Sequence, residues 1–132
     1  MPLILDTHYV YAIVGAPGRL SRNETRFLAQ SRERFVVSAV SIWEIRIKWN
    51  SLHPSGARKG PQSADQVLDL LTRRPIDFLD LKPHHAAVTL LQPLAHSDPF
   101  DELLLAQAQA EGVRLLTRDA KLASHPLART IA

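Results

Sequence analysis

The stretch from Asp98 to Asp119, DPFDELLLAQAQAEGVRLLTRD, predicts a helix followed at once by a buried strand that leads to an acid. Asp98 and the proline after it are residue types that begin helices, as an N-cap and a first helical residue. Gly112 is the residue type that most often ends them. We therefore predict a helix over Phe100–Glu111 and a strand over Val113–Thr117.

The rest of the chain repeats this alternation of short apolar runs with helical segments. Gly15–Gly18 and His53–Gln62 carry the Gly and Pro residues typical of breaks and loops, while Ser21 and Ser63 begin capping patterns. The further predicted strands are Leu3–Leu5, Phe35–Ser38, Pro75–Leu81 and Arg129–Ile131, and the further predicted helices are Tyr9–Val14, Ser21–Arg34, Val40–Leu52, Ala64–Arg73, Pro83–Ala95 and Ala120–Ala123. This order predicts an α/β fold with a mostly parallel central sheet flanked by helices on both faces.

Length and composition narrow the class of protein. A chain of 132 residues with 45% hydrophobic and 22% charged residues is expected to form a single domain over residues 1–132. The absence of cysteine excludes disulfides, zinc–thiolate sites and thiol nucleophiles. No apolar run approaches the roughly 20 residues of a membrane span. We therefore expect a soluble, cytoplasmic protein with no membrane contact.

The charge distribution suggests a polyanionic partner. Sixteen Lys and Arg against 13 Asp and Glu give a formal net charge of +3. No acid occurs between Glu44 and Asp65, and this gap holds a cluster of cations beside Trp49. Its members, candidate contacts to nucleic acid, are Arg46, Lys48, Arg58 and Lys59. The alternative is an ordinary solvated basic face.

Four acids are predicted to meet at one edge of the sheet. Asp6 and Asp119 follow predicted strands, and ligands of parallel sheets bind beyond the carboxyl ends of the strands. Glu44 and Asp101 fall in the first turns of helices that begin at that edge. Carboxylates so close repel one another unless a cation lies among them. Oxygen ligands favour a hard ion, Mg²⁺ or Mn²⁺.

Such a carboxylate cluster is typical of phosphodiester hydrolysis. One bound ion lowers the pKa of a water to make hydroxide, and a second one would stabilise the leaving oxygen. This chemistry requires no protein nucleophile. The sequence has neither a G-x-S-x-G elbow nor a Gly-rich phosphate loop, in agreement with that mechanism.

Each acid also has a structural alternative. Asp6, Asp98 and Asp119 could simply cap helices, and Glu44 could close a capping box with Ser41. The chain would then be a non-catalytic domain that binds nucleic acid or protein. An aspartyl-phosphate enzyme is disfavoured because Asp6 lacks the neighbouring acid and the strand-end Lys that such a site needs.

Several neighbours of the acids are candidates for supporting roles. Hydroxyls at Thr7, Ser41 and Thr117 could orient the carboxylates, or form ordinary local hydrogen bonds. His8 and His96 are possible phosphate contacts or partners of the acids. His84 and His85 are expected to be solvated or packed rather than to act in a site. Trp43 and Trp49 are expected to be core or interface residues rather than platforms for stacked bases.

Four segments together resemble a known family, the PIN-domain ribonucleases, and among them the VapC-like toxins of bacterial toxin–antitoxin pairs. They are Leu5–His8, Ser38–Glu44, His96–Asp101 running into Leu104–Ala108, and Leu116–Asp119. Each segment is weak by itself. In this order and spacing, over nearly the whole chain, they form a specific signal.

The resemblance implies a PIN fold and endonucleolytic cleavage of RNA. It also implies that Mg²⁺ or Mn²⁺ binds to Asp6, Glu44, Asp101 and Asp119, with Asp98 as an auxiliary ligand. A homodimer is implied, as is a cognate antitoxin whose C-terminal segment blocks the site. An antitoxin Arg among the carboxylates would replace the missing cation.

Overall fold

The computed structural model, which describes residues 2–15, 19–96 and 98–131, places a five-stranded parallel sheet between helices. In chain order the elements are β1 (Leu3–Leu5), α1 (Thr7–Val14), α2 (Arg22–Gln30), β2 (Phe35–Ser38), α3 (Ala39–Asn50), α4 (Ala64–Thr72), β3 (Asp77–Leu79), α5 (Pro83–Ala87), α6 (Pro99–Glu111), β4 (Arg114–Leu116) and β5 (Ala128–Arg129). The strand order is β3-β2-β1-β4-β5, and every pairing is parallel. Within the described ranges, no helix has the length and apolar character needed to cross a bilayer.

Two hydrophobic cores form, one on each face of the sheet. Successive side chains of a strand point to opposite faces, so Ile4 lies on one face while Leu3 and Leu5 lie on the other. Ile4 packs in one cluster with Leu105 of α6. Leu3 and Leu5 pack in the second cluster with Val10 of α1. This burial on both sides explains why β1 reads as a continuous apolar run.

The predicted fold class is confirmed, and α6 shows why the sequence predicted it well. Asp98 is its N-cap, since one carboxylate oxygen accepts from the amides of Phe100 and Asp101. Gly112 ends the helix with φ of 67°, a conformation that other residues rarely adopt. The remaining elements differ from prediction by at most two residues at either end, apart from the differences described next.

The predicted helix over Pro83–Ala95 is wrong beyond its first turn, because α5 ends at Ala87. The side chain of Gln109 on α6 explains how the following segment is stabilised without a helix. It donates to the carbonyl of Thr89 at 2.9 Å and accepts from the amide of Leu91 at 2.8 Å. These backbone groups therefore find a tertiary partner instead of helical ones.

The predicted helix over Ser21–Arg34 is also too long. The capping box of Ser21 and Glu24 is present, but the helix ends at Gln30. Ser31 is extended, and its hydroxyl accepts from the amide of Glu33 at 3.1 Å. Ser side chains compete in this way with helical backbone bonds and so end helices.

Near the end of the chain two further predictions need correction. Residues Ala120–Ala123 form turns rather than a helix, with a hydrogen bond from the amide of Leu122 to the carbonyl of Asp119. The last strand spans Ala128–Arg129 rather than Arg129–Ile131. The predicted break at Gly15–Gly18 lies partly outside the described residues, although Gly15 does cap the C-terminus of α1.

Candidate active site

A cavity of about 660 Å³ lies beyond the carboxyl ends of the central strands. Its lining is almost entirely charged or polar: Asp6, Thr7, His8, Arg19, Glu44, Lys48, Asp98, Asp101, Arg118 and Asp119. The structure therefore brings together all five acids that the sequence predicted as ligands. They come from the ends of two strands and from two helices.

Asp6 lies directly after β1 and is buried, with 8% of its surface exposed. Oδ1 caps α1 by accepting from the amides of His8 and Tyr9, at 2.9 and 3.3 Å. Oδ2 accepts from the hydroxyl of Thr117. Burial raises the pKa of Asp6, these hydrogen bonds oppose the rise, and the negative charge of Glu44 adds to it. Asp6 thus caps a helix and still presents its carboxylate to the cavity.

Glu44 does not close a capping box, so that alternative is wrong. The N-cap of α3 is Ser38, whose hydroxyl accepts from the amide of Val40 at 3.0 Å. Ser41 consequently lies inside the helix, and Glu44 lies in the second turn rather than in the first turn as predicted. The error arose because two serines precede Glu44 and only the fold selects which of them begins the helix.

The carboxylate of Glu44 is held from both sides. Oε1 lies 2.6 Å from the hydroxyl of Thr7, which is also 3.0 Å from the hydroxyl of Ser41. Oε2 lies 2.6 Å from Nζ of Lys48, one turn further along α3. Thr7 thus contacts the carboxylate of Glu44 directly, whereas Ser41 contacts Thr7 rather than the carboxylate.

Asp101 lies in the first turn of α6, as predicted. Its Oδ2 is 3.1 Å from Nε2 of His96, which places that histidine beside an acid. Burial raises the pKa of Asp101, and the negative charges of Asp98, Glu44 and Asp119 raise it further. The negative charges of these carboxylates thus repel one another although the residues lie on separate elements.

Asp119 caps a turn and not a helix. Its Oδ1 accepts from the amide of Lys121 at 2.9 Å, and its own amide donates to the hydroxyl of Thr117 at 3.1 Å. Because that hydroxyl also donates to Asp6, Thr117 links two of the acids.

Of the four predicted nucleic-acid contacts, Lys48 lines the cavity. The guanidinium of Arg58 lies over the ring of Trp49, 4.4 Å from its centroid, and donates to the carbonyl of the same residue at 2.7 Å. Arg46 and Lys59 are exposed and do not line this cavity. The four cations of the acid-free gap thus do not form one continuous basic surface facing the acids.

Two cations of the cavity were missed by the sequence analysis, Arg19 and Arg118. Arg118 stands inside Leu116–Asp119, so its position next to a predicted ligand was an available signal, whereas Arg19 has no such signal. Nη1 of Arg118 lies 2.8 Å from Nε2 of His8. Burial lowers the pKa of His8, and the charge of Arg118 lowers it further. His8 is therefore neutral at pH 7 and accepts this bond.

A second group of possible metal ligands lies elsewhere. Within residues 2–15, 19–96 and 98–131, His84, His85 and Glu111 form the one set of three His, Asp or Glu side chains whose ligand atoms lie within 4.8 Å of each other. However, Nδ1 of His85 accepts from the amide of Lys82 at 3.0 Å. Nε2 therefore carries the proton and donates to Glu111 at 3.0 Å. This pairing stabilises the fold and does not fit a metal ligand.

The donor set of the acidic cavity does fit a hard divalent cation. Its donors are oxygen atoms of carboxylates, which Mg²⁺ and Mn²⁺ prefer. The raised pKa values of Asp6 and Asp101 indicate that their ionised forms lack compensation by the protein alone. Mg²⁺ commonly keeps several bound waters and contacts only one or two carboxylates directly. Its carboxylate ligands can therefore lie further apart than the ligand atoms of His84, His85 and Glu111.

The family model of the PIN domain matches residues 3–126, and the chain belongs to this family. It is similar to "Ribonuclease VapC22" of Mycobacterium tuberculosis (strain ATCC 25618 / H37Rv), at 29% identity over 126 residues, which are 93% of this chain and 91% of that protein. The resemblance inferred from the sequence is thus confirmed.

Two solved structures have the same fold. One is VapBC2 from Rickettsia felis bound to a DNA fragment from their promoter, with a TM-score of 0.62, 18% identity and full coverage of both chains. The other is DNA-bound VapBC from Salmonella typhimurium, with a TM-score of 0.60 and 15% identity, covering 98% of this chain and 96% of that one. At these identities the likeness concerns the fold alone.

Proposed function

We propose that this chain is a metal-dependent endoribonuclease, the toxin of a bacterial toxin–antitoxin pair. The observation that carries the proposal is the convergence of Asp6, Glu44, Asp101 and Asp119 in one cavity. The name of the similar ribonuclease supports RNA as substrate.

The roles of the side chains follow from their positions. Asp6, Glu44, Asp101 and Asp119 would hold Mg²⁺ or Mn²⁺, with Asp98 as an auxiliary ligand. A divalent cation in such a site supplies hydroxide from water at neutral pH and stabilises negative charge on the phosphodiester.

The residues around the acids fix the geometry of this site. Thr117 orients Asp6, Thr7 orients Glu44, and His96 orients Asp101. Such partners hold a ligand in one rotamer before the cation binds, which lowers the cost of binding it.

The alternative of a non-catalytic domain with acids as helix caps explains less of the site. Asp6 and Asp98 do cap helices, and Asp119 caps a turn. Glu44 and Asp101, in contrast, accept from no backbone amide within the described residues, and both line the cavity with the other acids. Two carboxylates without a capping role, placed among like charges, favour cation binding.

The proposed partners follow from the family. The solved relatives are VapBC complexes, which supports a cognate antitoxin as partner. We further propose a homodimer, and activity in the cytoplasm, where RNA substrates and an antitoxin would be available. Lys48 lies at the cavity and is the member of the predicted basic set best placed to contact RNA.

The test compares cleavage of structured RNA by the wild type, Asp6→Asn, Glu44→Gln and Asp101→Asn in Mg²⁺, Mn²⁺ or EDTA. We expect metal-dependent cleavage by the wild type and a loss of at least about a hundredfold in each variant, since each removes a charge that the cation requires. Asp69→Asn, an exposed acid of α4 outside the cavity, is the matched control and should cleave normally.

Circular dichroism of each variant checks that the fold is intact. Cleavage that persists in EDTA, or in all three active-site variants, would refute the metal mechanism. Absence of cleavage by the wild type together with absence of Mg²⁺ binding in calorimetry would favour the non-catalytic alternative.

A further inference from the structure

Glu24 is a buried acid that the proposed cleavage chemistry does not use, with 6% of its surface exposed. Its Oε1 accepts from the amide of Ser21 at 2.9 Å, and its Oε2 accepts from the hydroxyl of Tyr9 at 2.6 Å. Burial works to raise the pKa of Glu24, but these two bonds and the nearby Arg118 hold it below its ordinary value. Glu24 is thus a fixed negative charge just behind the wall of the cavity.

Arg118 is held from three sides at the rim of the cavity. Its Nε lies 3.7 Å from Oε2 of Glu24, and its Nη1 donates to Nε2 of His8 at 2.8 Å. Nη1 also lies 3.4 Å from the carbonyl of Arg19. In the described part of the chain, Nη2 has no hydrogen-bond or ion-pair partner. The guanidinium is therefore oriented in advance, and one of its edges is left open.

Few Lys and Arg side chains of the cavity are available to bind a polyanion. Five carboxylates line it, and of its three Lys and Arg side chains Lys48 is already paired with Glu44 at 2.6 Å. Arg19 and Arg118 remain, and Arg19 and His8 also line the adjoining cavity of about 220 Å³. Arg19 thus borders both the acidic cavity and the cavity beside it.

Resting on the proposed ribonuclease function, we propose that Arg118 and Arg19 bind the RNA phosphate next to the scissile one, and that Glu24 is the residue that positions Arg118. A planar guanidinium binds phosphate oxygens through paired N–H donors, and it does so best when its orientation is fixed beforehand. The Tyr9–Glu24–Arg118–His8 chain of contacts supplies that orientation.

The substitution Glu24→Gln distinguishes an effect of charge from an effect of positioning, because the two change RNA binding in opposite directions. Replacing Glu24 by Gln removes a negative charge near the cavity, so a purely electrostatic effect would strengthen RNA binding. Loss of positioning would weaken it, because Arg118 would become mobile. Gln retains an oxygen for the amide of Ser21, so the cap of α2 is kept.

The experiment measures binding of a fluorescein-labelled 12-nucleotide single-stranded RNA by anisotropy in Mg²⁺, at several KCl concentrations. All proteins carry Asp101→Asn to prevent cleavage. We expect Arg118→Gln to weaken binding about tenfold and to reduce the slope of log K against log salt by about 0.7, one phosphate contact of a single strand. Glu24→Gln should weaken binding about threefold although it removes a negative charge.

Arg114→Gln is the matched control, since Arg114 is exposed at the opposite end of β4 and its loss changes the net charge equally. It should leave the slope unchanged. A wild-type slope in Arg118→Gln, or tighter binding by Glu24→Gln, would overturn the proposal. Absence of RNA binding by the parent protein would overturn it as well.

Cleavage by proteins with Asp101 intact separates this proposal from the nuclease function. If the wild type cleaves RNA and Arg118→Gln shows unchanged binding, the phosphate contact and its positioning by Glu24 fail while the nuclease proposal stands. If the wild type never cleaves while Arg118→Gln and Glu24→Gln weaken binding as expected, the nuclease proposal fails and the phosphate contact stands.

Discussion

The hydroxyl of Thr117 donates a hydrogen bond to the carboxylate of Asp6, a residue 111 positions away in sequence. The contact follows from the sheet, because Leu5 of β1 is paired in register with Leu116 of β4. The residues immediately after that pair are Asp6 and Thr117. A shift of one residue between these strands would break the contact and move Asp6 away from Asp119.

We expect Thr117→Val to lower the free energy of unfolding by about 1–2 kcal/mol in EDTA at pH 7.5. The buried carboxylate of Asp6 would lose a donor that lowers its pKa, and the amide of Asp119 would lose its acceptor. Urea unfolding measures the change. Thr117→Ser, which restores the hydroxyl, should recover most of the stability, and equal stability of Thr117→Val and wild type would contradict the role given to this hydroxyl.

Asp6→Asn should raise the melting temperature of the metal-free protein by about 4 °C at pH 7.5, the effect of roughly 1 kcal/mol in a domain of this size. Burial raises the pKa of Asp6, so its ionised form costs stability in the folded state. Asn keeps the ability to cap α1 without that cost. Scanning fluorimetry in EDTA measures the difference.

The stability gain expected for Asp6→Asn should depend on pH. A carboxyl group whose pKa is raised in the folded state does not lower the free energy of unfolding at pH values below its unfolded pKa, near 3.8. The destabilisation grows as pH rises through the folded pKa. The gain in Asp6→Asn should therefore shrink as pH falls towards 4. Addition of Mg²⁺ should stabilise the wild type more than the variant, and the opposite order would argue against a cation at Asp6.

Lys48→Met should lower the Mg²⁺ concentration for half-maximal cleavage by about two- to fivefold, the scale of a partly exposed ion pair. Nζ of Lys48 lies 2.6 Å from Glu44 and therefore competes with a cation for that carboxylate. Titration of cleavage with Mg²⁺ measures the shift, and Lys59→Met is an exposed control away from this cavity. If Lys48 instead serves mainly as an RNA contact, the KM for RNA will rise while the Mg²⁺ dependence stays the same.

The pairing of His85 with Glu111 should make a pH-dependent contribution to stability. The hydrogen bond from His85 is the main cause that lowers the pKa of Glu111. A carboxyl with a lowered folded pKa stabilises above its unfolded value near 4.5, and this contribution is lost as pH falls through the folded pKa. Glu111→Gln should thus be less stable than wild type at pH 7 by about 0.5 kcal/mol, and this difference should shrink as pH falls below 4.5.

Urea unfolding at several pH values tests this prediction. RNA cleavage by Glu111→Gln should match the wild type, because Glu111 does not line the acidic cavity. A stability difference that grows on acidification would show that the sign is wrong.

Much of the fold could be read from local sequence. The helix after Asp98 was predicted nearly to the residue because its cap, its first proline and its closing Gly112 are local signals. The helix after Pro83 was not, because the side chain of Gln109, from another element, satisfies the backbone of Thr89 and Leu91. Local patterns carry no information about such a distant partner.

The sequence by itself determined the alternation of strands and helices and the acids that follow them, since capping, turn chemistry and apolar runs act between near neighbours. The tertiary structure alone decided which serine begins α3, that Lys48 rather than Arg58 reaches the acids, and that Glu24 stands behind Arg118. These depend on which surfaces of distant elements meet. The packing of two hydrophobic cores against the faces of one sheet determines which surfaces meet.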